Sequence, residues 1–312
     1  MAAVTSASSV DASVACAVSS GHAHGRGPDG GLVVTASERP RTNSVVDTYS
    51  RLADEYDDPK NIESCWGRVT QHSLELVGLT ERHRTVADLG CGTGRELARL
   101  ASVHPADLRL LGVEPAANMR RRAMARTAQY PNVRILGGSF EHLPLRARSI
   151  DYLYSILAFH WTTDLEASVA ELARVLTPTG EMDLTFIGRH NGREFIHATT
   201  PVFVKYLTPA AMVKAASLRK QLTVEEATAL FGAVFRSPGL TVAESYHTYH
   251  DTLEGHWGWW VRIEGQFVDI PPGRQAECDR AVRDALASLA TDAHIPYTVH
   301  LLHVRLRNRE GR

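Results

Sequence analysis

The stretch from Val86 to Leu97, Val-Ala-Asp-Leu-Gly-Cys-Gly-Thr-Gly-Arg-Glu-Leu, constrains this chain more than any other. Thr85, Val86, Ala87 and Leu89 form a short β-prone run, Gly90, Gly92 and Gly94 follow at alternate positions, and Leu97, Leu100 and Ala101 then recur at helical spacing. A strand, a tight turn and a helix are implied. Glycines suit such a turn because the backbone must reach positive φ and let a ligand approach without a Cβ, while the helix start offers unpaired N–H groups to an anion. The corner predicts nucleotide binding and, by itself, fits several nucleotides.

A dinucleotide fingerprint spaces its glycines G-x-G-x-x-G and needs no acid ahead of the first. Here the spacing is G-x-G-x-G, with Asp88 two residues before it. In this the chain resembles the class I S-adenosylmethionine-dependent methyltransferases, whose first motif is acid-x-G-x-G-x-G. The resemblance implies an α/β fold, a Rossmann-like seven-stranded, mostly parallel sheet with helical cap insertions. It also implies S-adenosylmethionine as cofactor, with Asp88, Gly90, Cys91, Gly92 and Gly94 around its amino-acid end.

The 312 residues carry 34 Lys and Arg against 35 Asp and Glu, so no basic surface for nucleic acid or an anionic membrane is suggested. A small-molecule substrate, free or carrier-bound, fits better, acted on by a monomer or homodimer. Cys16, Cys65, Cys91 and Cys278 show no C-x-x-C spacing, which argues against a disulfide framework and a zinc site and makes the cytoplasm the expected location. Residues 1–40, rich in Ala, Ser, Gly, Val and His, read as a disordered tail. A secretory signal is the competing reading, disfavoured by the missing basic residue before Val14 and by serines in the apolar run.

The predicted methyltransferase domain occupies 41–312, with lid helices over 41–80. Val45, Tyr49, Leu52, Ala53 and Tyr56 recur at helical spacing in one helix, and Trp66, Val69, Leu74 and Val77 mark a second from about Ile62 to Leu79. A tyrosine helix ending in Tyr-Asp resembles the segment that folds over the cofactor in many members of the family. Tyr49 is then a substrate-side residue and Tyr56 a cofactor-side one; plain packing of both is the alternative.

The strand Leu108 to Glu114 ends in an acid twenty residues after Gly94. An acid at the tip of the second strand of an open α/β sheet accepts ribose hydroxyls. Glu114 is read as that ligand, with Pro115 and Met119 beside the cofactor; capping the following helix is compatible. Gly138-Ser139-Phe140-Glu141-His142-Leu143-Pro144-Leu145 resembles the family's Gly-Asp-Ala-Glu-x-Leu-Pro-Phe. Ser139 stands where the adenine-binding acid is usual, Phe140 keeps the backbone N–H, and Glu141 reads as a solvated turn. The strand Ile150 to Leu157 delivers Ala158-Phe159-His160-Trp161 to the carboxyl edge of the sheet. This resembles the Ser-x-x-x-x-His-Trp segment of the branch with trans-aconitate, malonyl-carrier-protein and ubiquinone/menaquinone-pathway methyltransferases. Ser155 is placed at the cofactor, Trp161 at the substrate and His160 as the candidate catalytic base.

Cap insertions are predicted over 190–238, as three short helices, and over 251–292. In the second, Trp257, Trp259, Trp260, Val261, Ile263 and Phe267 spread over roughly 200° of a helix, about twice a single packing stripe. One face on the sheet and the other on a pocket accounts for the width, as does an oligomer interface. Phe195, Trp257 and Trp260 are candidate substrate contacts, and His190, His197 and His256 candidate pocket polar groups. No metal is expected: His247 and His250, like His300 and His303, fall on opposite faces of strands. Together these readings predict an S-adenosylmethionine-dependent methyltransferase of a biosynthetic, plausibly secondary, pathway, with an oxygen or nitrogen acceptor favoured. A C-methyltransferase of the same fold and a non-catalytic cofactor-binding partner protein are the alternatives.

Overall fold

Near-continuous apolar runs in the central strands give the sheet two buried faces, and helices cover both. The computed structural model describes residues 45–104, 107–262, 265 and 268–308, with the backbone alone for 260–262. The predicted tail lies outside the described residues, as do Ile263 and Phe267. Three helices come first, α1 (Val45–Leu52), α2 (Pro59–Ile62) and α3 (Cys65–Glu75). The long second helix expected from Ile62 is interrupted because Ser64 caps α3, its hydroxyl accepting from Gly67 N–H. Likewise α1 stops at Leu52, which leaves Tyr56 on a turn.

Alternating strands and helices follow: β1 (Thr85–Leu89), α4 (Arg95–Val103), β2 (Arg109–Val113), α5 (Ala117–Thr127), β3 (Val133–Leu136), β4 (Ile150–Ile156), α6 (Leu165–Val175) and β5 (Leu176–Ile187). Next come α7 (Arg193–Tyr206), α8 (Pro209–Ser217), α9 (Val224–Val234), β6 (Leu240–Asp251), α10 (Leu253–Arg262), α11 (Gln275–Ala287) and β7 (Ile295–Leu306). The sheet order is β3-β2-β1-β4-β5-β7-β6; β7 runs antiparallel to β5 and β6, and the other pairs are parallel.

Ala87, Leu89, Leu111, Leu153, Met182, Leu184 and Phe186 face one layer, packed with Val169 and Leu172 of α6 and Phe231 of α9. On the other side Val86, Leu110, Tyr152 and Tyr154 pack on Leu97 and Leu100 of α4. Val299 and Leu301 of β7 pack with Val69 of α3, Phe195 of α7 and Val282 of α11. The chain leaves β1 toward β3 and returns to β4 on the other flank. The carboxyl ends of β1 and β4 therefore flank the switch point where open α/β sheets bind ligands. Among the described residues no helix is long and apolar enough to cross a membrane.

Candidate active site

At the end of β1 the backbone folds back on its neighbour: the N–H groups of Gly90 and Cys91 both donate to Val113 O, at 2.8 and 3.2 Å. Gly90, Gly92 and Gly94 have φ of 76, 56 and 71°. At Gly92 a Cβ would meet nothing within 4 Å. That turn therefore presents bare backbone to open space, a cradle that a side chain would fill. Gly94 differs, since a Cβ there would lie 2.8 Å from the Cβ of Ala123; it lets α4 pack closely on α5. Glu114, buried at the tip of β2, receives Gly92 N–H on Oε2 at 2.9 Å and Ala116 N–H on Oε1 at 2.8 Å, so one carboxylate fixes the glycine turn and the start of α5. Burial raises its pKa and the two N–H bonds oppose the rise.

A cavity of about 1230 Å³ opens above this corner. Its floor includes Asp88, 5% exposed, whose carboxyl is pushed up to about 8 by burial. The Tyr154 hydroxyl draws the value down, and the nearby Glu96 and Glu114, both negative, add to the rise. Tyr49 and Tyr56 line the opposite side with their rings edge-on at 6.2 Å, and Tyr49 meets Trp161 at 6.1 Å. The segment carrying them is pinned to α5: Ser50 Oγ accepts from Asn118 N–H at 3.1 Å, Arg122 bonds Asp54, and Arg126 pairs with Asp57 at 2.7 Å.

The chain leaves β4 through Leu157, whose φ of 54° is strained for a side chain branched at Cγ. Its N–H donates to Thr185 O at 2.8 Å, and the chain then enters a 3₁₀ turn, Phe159–Trp161, at the cavity wall. The ring of His160, 4% exposed, accepts the Ile187 N–H on Nδ1 at 3.5 Å, which leaves the proton on Nε2. Burial, with the Arg219 charge second, holds His160 well below the ordinary histidine pKa. A neutral imidazole already accepting on one nitrogen and carrying hydrogen on the other is a donor, which disfavours the base role expected for it. Glu141 is also not the solvated turn residue the sequence suggested. Its Oε1 accepts from Thr162 Oγ1 and Thr163 N–H, both at 2.6 Å, tying the loop after β3 to the segment after Trp161. Burial alone would raise its pKa, but these bonds bring it down to about 2.

Comparison with known proteins agrees with this geometry. Residues 87–182 match the model of a methyltransferase domain. This stretch is a methyltransferase domain. The chain is 34% identical over 137 residues to a malonyl-[acyl-carrier protein] O-methyltransferase of Yersinia pestis, covering 44% of this chain and 48% of that protein. It is 36% identical over 106 residues to a trans-aconitate 2-methyltransferase of Deinococcus radiodurans, covering 34% and 39%. The matches thus span about half or less of these relatives. Among solved structures, the YcgJ protein of Bacillus subtilis superposes with a TM-score of 0.52 at 19% identity, over 78% of this chain and 100% of its own. A phosphoethanolamine N-methyltransferase of Haemonchus contortus gives 0.51 at 14% identity, over 86% and 58%. Both share the fold.

Around the cavity the structure brings together Tyr49, Tyr56, Asp88, Gly90, Cys91, Gly92, Glu114, Pro115, Met119, Ser139, Phe140, His160 and Trp161. Other expected site residues stand elsewhere. Gly94 faces α5, and Ser155 donates its hydroxyl to Leu89 O at 2.6 Å, joining β1 to β4 inside the sheet. Phe195 is buried between His256 and Tyr297, with ring centroids 4.7 Å away in each case. Trp257 lies under Arg283 of α11, 5.7 Å from its guanidinium carbon. Trp260 sits on α10, but its side chain is outside the described residues. His256 bonds Ile295 O at 3.1 Å, His190 stacks on His300, and His197 is exposed, so none of these three is a pocket group.

Trp66, Arg219 and Trp259 are among the wall residues that sequence reasoning did not assign to the site. Trp66 and Trp259 stack at 5.2 Å, and Arg219 lies over the rings of Trp161 and Trp259 at 4.9 and 5.9 Å. The breadth of the apolar arc on α10 carried the signal for Trp259, since Trp257 and Trp259 do turn to different neighbours. Nothing in the sequence pattern marks Arg219. Among the described residues no group of three or more His, Cys, Asp or Glu is placed to hold a metal ion.

Proposed function

We propose that this chain transfers a methyl group from S-adenosylmethionine to an oxygen or nitrogen of a small or medium-sized, partly apolar metabolite in a secondary biosynthetic pathway. The observation that carries the reading is Asp88, a buried carboxyl on the cavity floor whose pKa is raised chiefly by burial, beside the bare backbone of Gly92. A ligand with a cationic ammonium and an approach too close for a Cβ fits that pair. Asp88 and the glycine turn would hold the amino-acid end of the cofactor, Glu114 the ribose, and Ser139 with the Phe140 N–H the adenine. Bound there, the cofactor supplies a methyl already activated on a sulfonium sulfur. The protein's own residues then have to align the acceptor and exclude water.

His160, neutral with its Nε2 hydrogen available, orients an acceptor oxygen rather than removing a proton. The α1–α3 segment acts as a lid and the 190–238 and 251–292 insertions as a cap; Tyr49, Trp66, Arg219 and Trp259 in the cavity wall support this. One relative is named for an acceptor on a carrier protein and another for a free small molecule, which supports both forms of acceptor. The test is thermal unfolding with added ligands. S-adenosylmethionine and S-adenosylhomocysteine at 100 times Kd should each stabilise the protein by about 2.7 kcal/mol, and NAD should not. Stabilisation by NAD alone would leave a Rossmann-like fold with another activity.

A further inference from the structure

Arg126 of α5 holds two sides of the cavity at once. Its Nη1 donates to Thr93 O at 3.1 Å and to Thr93 Oγ1 at 2.7 Å, and its Nη2 lies 2.7 Å from Asp57 Oδ2. Thr93 stands in the glycine turn between Gly92 and Gly94, Asp57 follows Tyr56 on the lid segment, and both line the cavity. Thr93 is 2% exposed and Asp57 Oδ2 is itself buried, so water screens this bridge less than it screens a surface ion pair. Glu114 fixes the turn from β2 through Gly92 N–H, and Arg126 fixes it from α5 through Thr93. Arg122, one turn earlier on α5, differs. It bonds Asp54 of the same segment through Nε at 2.9 Å and Nη2 at 2.6 Å, but the Asp54 side chain is 86% exposed, and these bonds fasten only the lid to α5. A guanidinium suits the double hold because its planar fork offers separate N–H groups to a carboxylate and to a hydroxyl, where an ammonium is a single point.

We propose that Arg126 is a positioning residue for the cofactor: it sets the lid turn carrying Tyr56 against the glycine turn, so that both sides of the cofactor site are ordered before the cofactor arrives. The proposal rests on the methyl-transfer reading and deepens it. Ordering two segments at the moment of binding lowers affinity, and a bridge already made in the free protein removes that cost. A tether for the lid alone would need only Asp57, and a brace between α5 and the turn alone would need only Thr93. The one guanidinium joins them, which ties the lid's position to that of the turn.

The test measures S-adenosylhomocysteine binding to the full chain by calorimetric titration and its dissociation by stopped-flow displacement. Arg126→Gln should bind about 10-fold more weakly than wild type, chiefly through faster dissociation. Asp57→Ala, which leaves Thr93 its donor, should lose a similar factor, and combining the two substitutions should lose little more than either alone. Arg126→Lys should recover part of the loss, and Arg122→Gln should weaken binding by about 2-fold or less. Equal losses at Arg122 and Arg126 would make Arg126 one more lid tether and overturn the proposal. So would an unchanged affinity in Arg126→Gln with only the unfolding temperature lowered, or losses from Arg126→Gln and Asp57→Ala that simply add. Should Arg126→Gln not fold, Asp57→Ala decides, and an unchanged affinity there overturns the proposal while the methyl-transfer reading stands on the binding by wild type. Failure of S-adenosylhomocysteine to bind the wild type would overturn both.

Discussion

Asp88 and Asp183 stand in one row of the sheet, each the register partner of Tyr154 between them, and each is almost wholly buried. Their surroundings are opposite. Asp183 accepts from the Tyr152 hydroxyl, His303 Nε2 at 3.1 Å, Arg305 Nε at 3.2 Å, Arg307 Nη2 at 2.5 Å and Gly78 N–H at 3.0 Å. Burial alone would lift its pKa, but these bonds hold it well below the ordinary carboxylate range. Asp88 has negative neighbours and a cavity in front of it, and its carboxyl is pushed up to about 8. A buried acid with all its partners in the chain fastens structure: this one joins β4, β5, β7 and the segment entering β1. A buried acid that faces a cavity and has no cation bonded to it is prepared for a ligand that brings one.

The largest effect that should separate the two is on stability. Asp183→Ala leaves the Arg305 and Arg307 charges around an empty position, and the loss should be about 4 kcal/mol at pH 7 by denaturant unfolding. Because the native pKa is depressed, the stabilisation is present above the ordinary carboxylate value and is lost as pH falls through the native one. The deficit of Asp183→Ala should therefore shrink below about pH 4. Equal deficits at pH 3 and pH 7 would show that packing, not the ion network, is what the variant loses.

Asp88→Asn should move the other way. A raised native pKa means that between about pH 4 and 8 the unfolded state has lost a proton the native state keeps, so wild-type stability falls over that window. The variant should gain stability relative to wild type progressively as pH rises from about 4 to about 8, and close to nothing at about pH 4. A net loss of stability at pH 8 would place Asp88 with Asp183 as a structural acid.

A smaller contrast lies within the glycine turn. Gly92→Ala and Gly94→Ala both force a Cβ onto positive φ, at about 1 kcal/mol each. Only at Gly94 does that Cβ also meet Ala123, so Gly94→Ala should be the less stable of the two. Gly92→Ala should weaken S-adenosylhomocysteine binding more, since its Cβ enters the cavity. Equal binding losses would mean that both glycines serve the ligand.

The sheet and its glycine corner were legible in the sequence because backbone rules wrote them there. The glycines after β1, the acid at the tip of β2 and the apolar run of β4 each follow from local geometry. What was not legible depends on contacts far apart in the chain. Arg219 reaches the cavity only because the segment after α8 is bonded to His160, and Trp66 only because α3 begins at a Ser64 cap. Phe195 and Trp257 were misplaced for a related reason: an aromatic residue in an insertion has two sides to pack on, and both side chains took the α11 and β7 side. His160 lies in the cavity wall, and the Ile187 N–H that meets its Nδ1 comes from 27 residues away, beyond the reach of local pattern.

The most direct test of the claim that Asp88 is held for a cationic ligand is the proton count on binding. Titration of S-adenosylhomocysteine at pH 7 in two buffers of different ionisation enthalpy gives that count. With a free-state pKa of about 8, Asp88 is mostly protonated and must ionise to meet an ammonium group, so close to one proton should be released by wild type and none by Asp88→Asn. Binding without proton release, or the same release from the variant, would contradict the account.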